Sequence, residues 1–135
     1  MKNLLLVIFF SLATSLAYAE ELQNTEIENV IGDQITAFQA DDFERAFEFA
    51  SPNIKGIFGT PERFGRMVQN GFPMVWRPSS VRYLELREIA GRLYQKVVVE
   101  DGDGQYHVLD YEMLETADGW QINGVQLLRA PSVGA

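Results

Sequence analysis

The sequence contains no cysteine and a single histidine, His107. Without cysteine there is no disulfide, no thiol nucleophile and no cysteine-ligated zinc, so packing alone must hold the fold together. One histidine also excludes metal sites built from several histidines and relays that need a pair of them. The sequence also contains no Ser/His/Asp set, phosphate-binding loop or nucleotide fingerprint. We therefore expect no metal and no cofactor, and we identify no catalytic residue.

Long hydrophobic runs are also missing, apart from a short one near the start at residues 4–10. A positive charge at Lys2 precedes this run, and residues 17–19 read Ala-Tyr-Ala. This arrangement is typical of a secretory signal peptide, and the apolar run is too short for a membrane span. An uncleaved anchor is the alternative. We expect residues 1–19 to be a signal peptide and residues 20–135 to be one domain, periplasmic or secreted, without membrane contact after cleavage.

Basic residues are scarce and unevenly placed. Residues 20–135 carry ten basic and nineteen acidic residues, a net charge of −9, which disfavours nucleic acid as a partner. Seven of the basic residues lie within residues 63–96, whereas the segments on both sides are acidic. Two interpretations are open: these basic residues neutralise acidic neighbours inside the fold, or they form a local patch that attracts anions.

Three helices are predicted in the first half of the chain. Thr25 is the expected N-cap of the first, which ends near Ala40 and buries one apolar stripe, formed by Ile27, Ile31, Ile35 and Phe38. The second follows at once and ends where Ser51-Pro52 interrupts it. Residues 53–59 are expected to be irregular. The third helix spans residues 60–71, and residues 72–78 should then cross the core in extended form.

Four strands are predicted after the helices, at Val81–Ile89, Arg92–Glu100, Gln105–Glu115 and Gly119–Leu128. A bulge at Asn123-Gly124 is needed to keep the apolar residues of the last strand on one face. The fold class is therefore α+β, with three N-terminal helices packed on a curved, bulged four-stranded antiparallel meander.

Alternation along the strands assigns side chains to faces. Tyr83 and Arg87 should share one face of the first strand. His107 and Tyr111 should share the apolar face of the third strand, with Asp110 on the opposite face.

Two stretches resemble a bacterial family of small exported proteins defined only as a domain of unknown function. They are residues 58–61, Phe-Gly-Thr-Pro, and residues 71–78, Gly-Phe-Pro-Met-Val-Trp-Arg-Pro. The ending around Trp120 also resembles the nuclear-transport-factor-2-like (cystatin-like) superfamily, whose fold is a cone. The resemblance implies that fold and export but no activity, because the superfamily contains isomerases, dehydratases and polyketide cyclases as well as binding domains.

Seven residues are candidates for ligand binding: Trp76, Arg77, Tyr83, His107, Tyr111, Arg63 and Arg66. Trp76 and Arg77 lie between prolines and would border the open end of a cone, where Arg suits a carboxylate or phosphate. Alternatively, Trp76 covers the core while Arg77 pairs with a surface acid. His107 and Tyr111 would hold a polar ligand if their face lines a pocket; otherwise His107 is a partly exposed strand residue.

Two pairs of acidic residues could have a function, but each also has a purely structural interpretation. Asp110 and Glu112 would supply a general base in a pocket, or they are charged residues on a solvent-facing strand face. Asp101 and Asp103 superficially resemble a calcium loop, but the twelve-residue ligand pattern is missing, so a hairpin turn is expected.

Two functions stay open. The first is an exported non-catalytic domain that binds a small, partly apolar anionic ligand or a partner protein. The second is a small-molecule enzyme that transfers a proton inside the cone; a carboxylate or histidine buried in an apolar pocket would favour it. We also expect a homodimer through the uncovered face of the sheet, which should carry Tyr83, Tyr94, Tyr106 or Val98 among its charges.

We predict cleavage after Ala19, because small residues stand at the two positions that a signal peptidase reads. N-terminal sequencing of protein from the exported fraction should begin at Glu20. Recovery from membranes with Met1 intact would contradict this prediction.

Overall fold

Five helices precede four strands in the computed structural model, which describes the backbone of residues 2–128 and the side chains of residues 14–128. The helices are α1 (Lys2–Gln39), α2 (Phe43–Glu48), α3 (Pro52–Phe58), α4 (Pro61–Gly71) and α5 (Pro73–Trp76). The strands are β1 (Ser80–Ile89), β2 (Arg92–Glu100), β3 (Tyr106–Thr116) and β4 (Gly119–Leu128). The predicted α+β class is confirmed, and each predicted strand is correct to within one residue at its ends.

The sheet is an open antiparallel meander in the order β1-β2-β3-β4. Helices cover one face, which we call the inner face, and the core lies between them. From the sheet the core receives Val97, Val99, Leu109, Tyr111 and Met113, all less than 5% exposed. The opposite, outer face has no helix packed on it within the described chain.

Helix α1 begins far before the predicted N-cap. Thr25 Oγ1 donates a hydrogen bond to the carbonyl of Glu21 at 2.9 Å, so Thr25 lies inside the helix. The predicted start was wrong because residues 20–23, Glu-Glu-Leu-Gln, are good helix formers that extend the helix backwards. The apolar stripe is confirmed, since its four residues are at most 4% exposed. Among the described residues, no helix combines the length and hydropathy that a membrane crossing requires.

Two segments predicted to be non-helical form short helices. Ser51 Oγ accepts a hydrogen bond from the Ile54 amide at 3.3 Å, and Pro52 occupies the first turn, so Ser51-Pro52 begins α3. Thr60 caps α4 in the same way, through the amide of Arg63. The expected irregular structure at residues 53–59 and the extended crossing at 72–78 are both wrong, because a proline that cannot continue one helix can start the next.

Two bulges set the facing of the sheet. The predicted bulge in β4 is confirmed: Glu112 pairs with Gly124 and Met113 with Ile122, which leaves Asn123 without a partner in the ladder. A second bulge was not foreseen and lies in β1 between Tyr83 and Leu86.

The β1 bulge overturns one predicted facing. Tyr83 pairs with Val97 and packs on the core at the inner face, whereas Arg87 pairs with Tyr94 on the outer face. The prediction that Tyr83 and Arg87 share a face is therefore wrong, and Tyr83 also leaves the set expected on the outer face. Its hydroxyl lies 3.1 Å from where a Cβ on Gly32 would stand, which explains a glycine within α1.

We predict opposite effects for two glycine-to-alanine changes. A Cβ at Gly65 would lie 2.6 Å from Cγ of Phe43, so Gly65→Ala should lower the free energy of unfolding by about 1–3 kcal/mol. Gly56 in α3 has no atom within 4 Å of such a Cβ, so Gly56→Ala should raise it by roughly 0.5–1 kcal/mol. Urea denaturation measures both, and equal effects would show that α4 does not pack closely on Phe43.

Candidate ligand-binding cavity

A cavity of about 270 Å³ lies between the helices and the last two strands. Its lining is mainly apolar and includes Phe38, Ala50, Ile54, Ile57, Phe58, Phe64, Met67, Val68, Phe72, Val75, Ile122, Gly124 and Val125. Ile57 is 72% exposed and therefore lies where the cavity meets solvent. The cavity is large enough for a small organic molecule, because an apolar cavity of roughly 150 Å³ holds benzene.

Three phenylalanines of the lining, Phe38, Phe58 and Phe64, form one aromatic cluster with Phe47, which lies outside the lining. The centroid of the Phe64 ring is 5.7 Å from that of Phe38, 5.3 Å from Phe47 and 5.8 Å from Phe58. These distances are typical of favourable tilted and edge-on aromatic pairs. Because the four rings come from α1, α2, α3 and α4, their contacts fix the positions of four helices around the cavity.

Two polar side chains also line the cavity, Gln34 from α1 and Tyr111 from β3. Gln34 Nε2 donates to the carbonyl of Ala46 at 3.1 Å. Since a carbonyl can only accept, this bond fixes which end of the amide is nitrogen, and no donor in the described chain reaches Oε1. The Tyr111 hydroxyl is buried and likewise has no hydrogen-bond partner among the described residues. Two residues of the lining therefore each carry a polar atom to which no described residue bonds.

Tyr111 is the only titratable residue among those that line the cavity in the described chain. Burial raises the pKa of its hydroxyl well above the usual value, and the nearby Tyr83 adds to this. At neutral pH the group is a neutral donor. No Asp, Glu, His, Lys or Arg side chain belongs to the lining, so the part of the chain described here offers no ionised group at the cavity.

The predicted pair Trp76 and Arg77 lies at the end of α1. Asp41 Oδ1 accepts hydrogen bonds from Trp76 Nε1 at 2.8 Å and from Arg77 Nη2 at 2.9 Å. Arg77 Nη1 donates to the carbonyl of Phe38 at 2.9 Å, and its guanidinium stacks over the Trp76 ring at 4.1 Å. Arg77 thus caps α1 and stabilises Asp41, whose backbone has a positive φ of 54°. The structure agrees with the alternative in which Arg77 pairs with a surface acid.

The other predicted residues are dispersed. Arg63 and Arg66 are exposed on α4 and form no ion pair with a described acid. His107 Nε2 lies 2.7 Å from Asp101 Oδ2, while Asp101 Oδ1 accepts from the amides of Asp103 and Gln105. This confirms a hairpin turn organised by one carboxylate. Of the seven candidates, only Tyr111 lines the cavity; Tyr83 is its neighbour in the core, not a wall residue.

The carboxylates of the outer face are paired rather than free. Arg87 makes two bonds to Asp110, at 2.9 and 2.7 Å, and Asp110 is only 8% exposed, so the expectation of simple solvent exposure is wrong. Burial alone would raise the pKa of Glu112, but hydrogen bonds from Arg92 and Asn123 outweigh it and hold that pKa below its usual range. Neither acid lines the cavity, which argues against the general-base interpretation.

The basic middle of the chain mostly neutralises acids within the fold. Ion pairs join Arg77 to Asp41, Arg87 to Asp110, Arg92 to Glu112 and Lys96 to Glu85. Four of the seven basic residues within 63–96 are therefore used internally. The anion-attracting patch is reduced to exposed arginines on α4 and β1.

Sequence reasoning missed the cavity, although one signal was present. Gln34 lies between Ile31 and Phe38 at helical spacing, a polar residue inside an apolar stripe. Such a residue must bond to something buried, and its position could have identified the polar part of the site. The apolar walls gave no comparable signal, because each lining residue taken alone resembles ordinary core.

We predict that Arg77→Ala lowers the melting temperature without any ligand, that Arg77→Lys restores part of the loss, and that Arg63→Ala changes little. Hydrogen bonds from Trp76 and Arg77 lower the pKa of Asp41 below its ordinary 3.8. The bonds of Asp41 to Trp76 and Arg77 therefore stabilise the fold fully above pH 3.8, and this stabilisation is lost as the pH falls through the lowered pKa of Asp41.

Thermal melts at pH 7 and in acid test this pH dependence. The difference in melting temperature between wild type and Arg77→Ala should be smaller in acid than at pH 7. Equal melting of Arg77→Ala and Arg63→Ala at pH 7 would show that Arg77 has no structural role.

The family model of DUF4864, a domain of unknown function, matches residues 20–135. No curated protein and no solved structure matches the chain. The family match covers all of the helices and strands that surround the cavity, apart from the first part of α1. The chain therefore belongs to DUF4864, a family of domains whose function is unknown.

Proposed function

We propose that this protein is a non-catalytic domain that binds a small, largely apolar molecule in the cavity between its helices and the last two strands. The observation that carries the proposal is the apolar cavity of about 270 Å³ beside Gln34 and Tyr111. Binding sites for small molecules typically combine an apolar lining with a few polar groups that fix orientation. By comparison with the benzene-sized cavity, the ligand should have roughly ten non-hydrogen atoms.

Binding is better supported than proton transfer. A general base must reach the proton that it removes and must be unprotonated near neutral pH. The titratable residue beside the cavity, Tyr111, has a raised pKa and stays protonated, so it can donate a hydrogen bond but not remove a proton. His107 bonds to Asp101 at a hairpin, away from the lining residues. These observations favour binding over the isomerase-like alternative.

The ligand that we propose is not anionic, in contrast to the expectation from the sequence. An anionic ligand was predicted partly from Arg77, but Asp41 and the end of α1 occupy that guanidinium. Arg63 and Arg66 remain as exposed cations on α4 outside the lining. The site we propose is therefore the apolar cavity, and an anion site on α4 remains a separate sequence-based prediction.

We further propose export and a cone-type, nuclear-transport-factor-2-like arrangement. The charged start, short apolar run and Ala-Tyr-Ala ending support export, and the family match begins at Glu20. Helices on one face of a sheet that is bulged in β1 and β4 support the cone, because bulges increase strand bending. A homodimer through the outer face, which exposes Tyr106, also stays a prediction.

We predict that Met67→Trp excludes the ligand, because Met67 lines the cavity and indole is larger than its flexible side chain. Gln69→Trp is the matched control, since Gln69 lies on the same helix but does not line the cavity. Native mass spectrometry and solvent extraction of the purified full chain should detect an apolar molecule with wild type and Gln69→Trp, and none with Met67→Trp.

Melting temperatures establish that both tryptophan variants are folded. Equal ligand content in Met67→Trp and wild type would place the ligand elsewhere. If wild type carries nothing and no medium-chain alcohol, ester or acid raises its melting temperature, the proposed function is wrong.

A further inference from the structure

Two residues that line the cavity, Gln34 and Tyr111, each carry a polar atom without a described hydrogen-bond partner, and these atoms have complementary roles. Gln34 Oε1 is an acceptor, because the Ala46 carbonyl holds the other end of the amide as donor. Tyr111 is 0% exposed, and its hydroxyl is without a partner in the described chain. A buried hydroxyl without a hydrogen bond lowers the stability of the protein, so a ligand that bonds to Tyr111 and also donates to Gln34 gains energy that the protein without ligand lacks.

We propose that the ligand is a neutral alcohol or phenol whose hydroxyl donates to Gln34 Oε1 and accepts from the Tyr111 hydroxyl. The proposal rests on the proposed function, since it names the chemical class bound in the same cavity. A hydroxyl is the simplest group that supplies one donor and an acceptor from a single atom. The rest of the molecule is apolar and packs against Phe38, Phe64 and Val125.

Other polar groups fit these two atoms less well. A carboxylate would lie beside an apolar lining that contains no cation among the described residues, and an unpaired buried charge is strongly unfavourable. A ketone or ester accepts from Tyr111 but leaves Gln34 Oε1 without a donor. A hydrocarbon leaves both atoms unsatisfied. Ligand preference should therefore follow the order hydroxyl, carbonyl, hydrocarbon, with a carboxylate excluded.

The test is a comparison of two probes of nearly the same shape, 4-butylphenol and 4-butyltoluene, by calorimetric titration of the full chain. In wild type the phenol benefits from Tyr111. In Tyr111→Phe the preference for the phenol over the toluene should fall about tenfold, the effect of one buried hydrogen bond. The affinity for 4-butyltoluene should stay within about twofold. Comparing the ratio of affinities rather than either affinity removes general effects of the substitution.

Two further variants test the acceptor and control for the loss of a tyrosine hydroxyl elsewhere. Gln34→Met retains length but removes the acceptor, and it should reduce the phenol preference as Tyr111→Phe does. Tyr94→Phe is the matched control, because Tyr94 donates to Glu112 on the outer face and does not line the cavity. Its phenol preference should equal that of wild type. Tyr111→Phe should melt no lower than wild type, since it removes only an unpartnered hydroxyl.

The outcomes separate the two proposals. If both probes bind and the phenol preference is the same in wild type and Tyr111→Phe, the hydroxyl assignment is overturned while cavity binding holds. Tighter binding of 4-butylbenzoate than of 4-butylphenol would also overturn it, in favour of an anionic ligand. If neither neutral probe binds wild type, the proposed function and this inference both fail.

Discussion

The joint between β4 and the start of α3 determines where the cavity is. The backbone of Ile122 bonds at 2.8 Å to both Phe49 and Ser51, and Ser51 Oγ donates to Asn123 Oδ1 at 2.7 Å. Asn123 is the extra residue of the β4 bulge, and its Nδ2 donates to Glu112 at 2.8 Å. The bulge thus takes Asn123 out of the ladder, and its side chain fastens the start of α3 to β4. Residues of α3 and β4 beyond this joint line the cavity.

The sequence predicted the elements better than their contacts. The four strands, the α1 stripe and the β4 bulge followed from periodicity, because each depends on neighbours within a few residues. The facing of Tyr83 did not, since the β1 bulge is visible only when Leu84 and Glu85 are placed opposite β2. Ser51-Pro52 was interpreted as a helix end although the same pattern at Thr60-Pro61 was recognised as a start. That ambiguity is local, and tertiary contacts decide it.

The candidate site was harder to predict, because the charged residues of this fold lie outside the cavity and the residues that line it are mostly apolar. Arg77 and Asp110, two charged residues that the sequence singled out, instead form ion pairs. Arg77 pairs with Asp41 at the end of α1, and Asp110 pairs with Arg87 on the outer face. The cavity is instead made from residues of α1, α3, α4 and α5, the connections before α3 and α5, and two strands, and no local pattern predicts that they enclose space. Only Tyr111 was a candidate in both views. Charge density was therefore a poor guide to the site.

Helix α3 differs from its neighbours in burying no residue completely, although it forms one side of the cavity. It ends at Gly59, whose φ of 78° suits a chain reversal, and its first turn is held mainly by polar bonds to Asn123. Segments with few buried apolar contacts have the smallest free energies of local opening. Of the walls of the cavity, the one formed by α3 therefore opens at the lowest cost in free energy, and the contact of Phe58 with Phe64 is the aromatic contact that such opening would break.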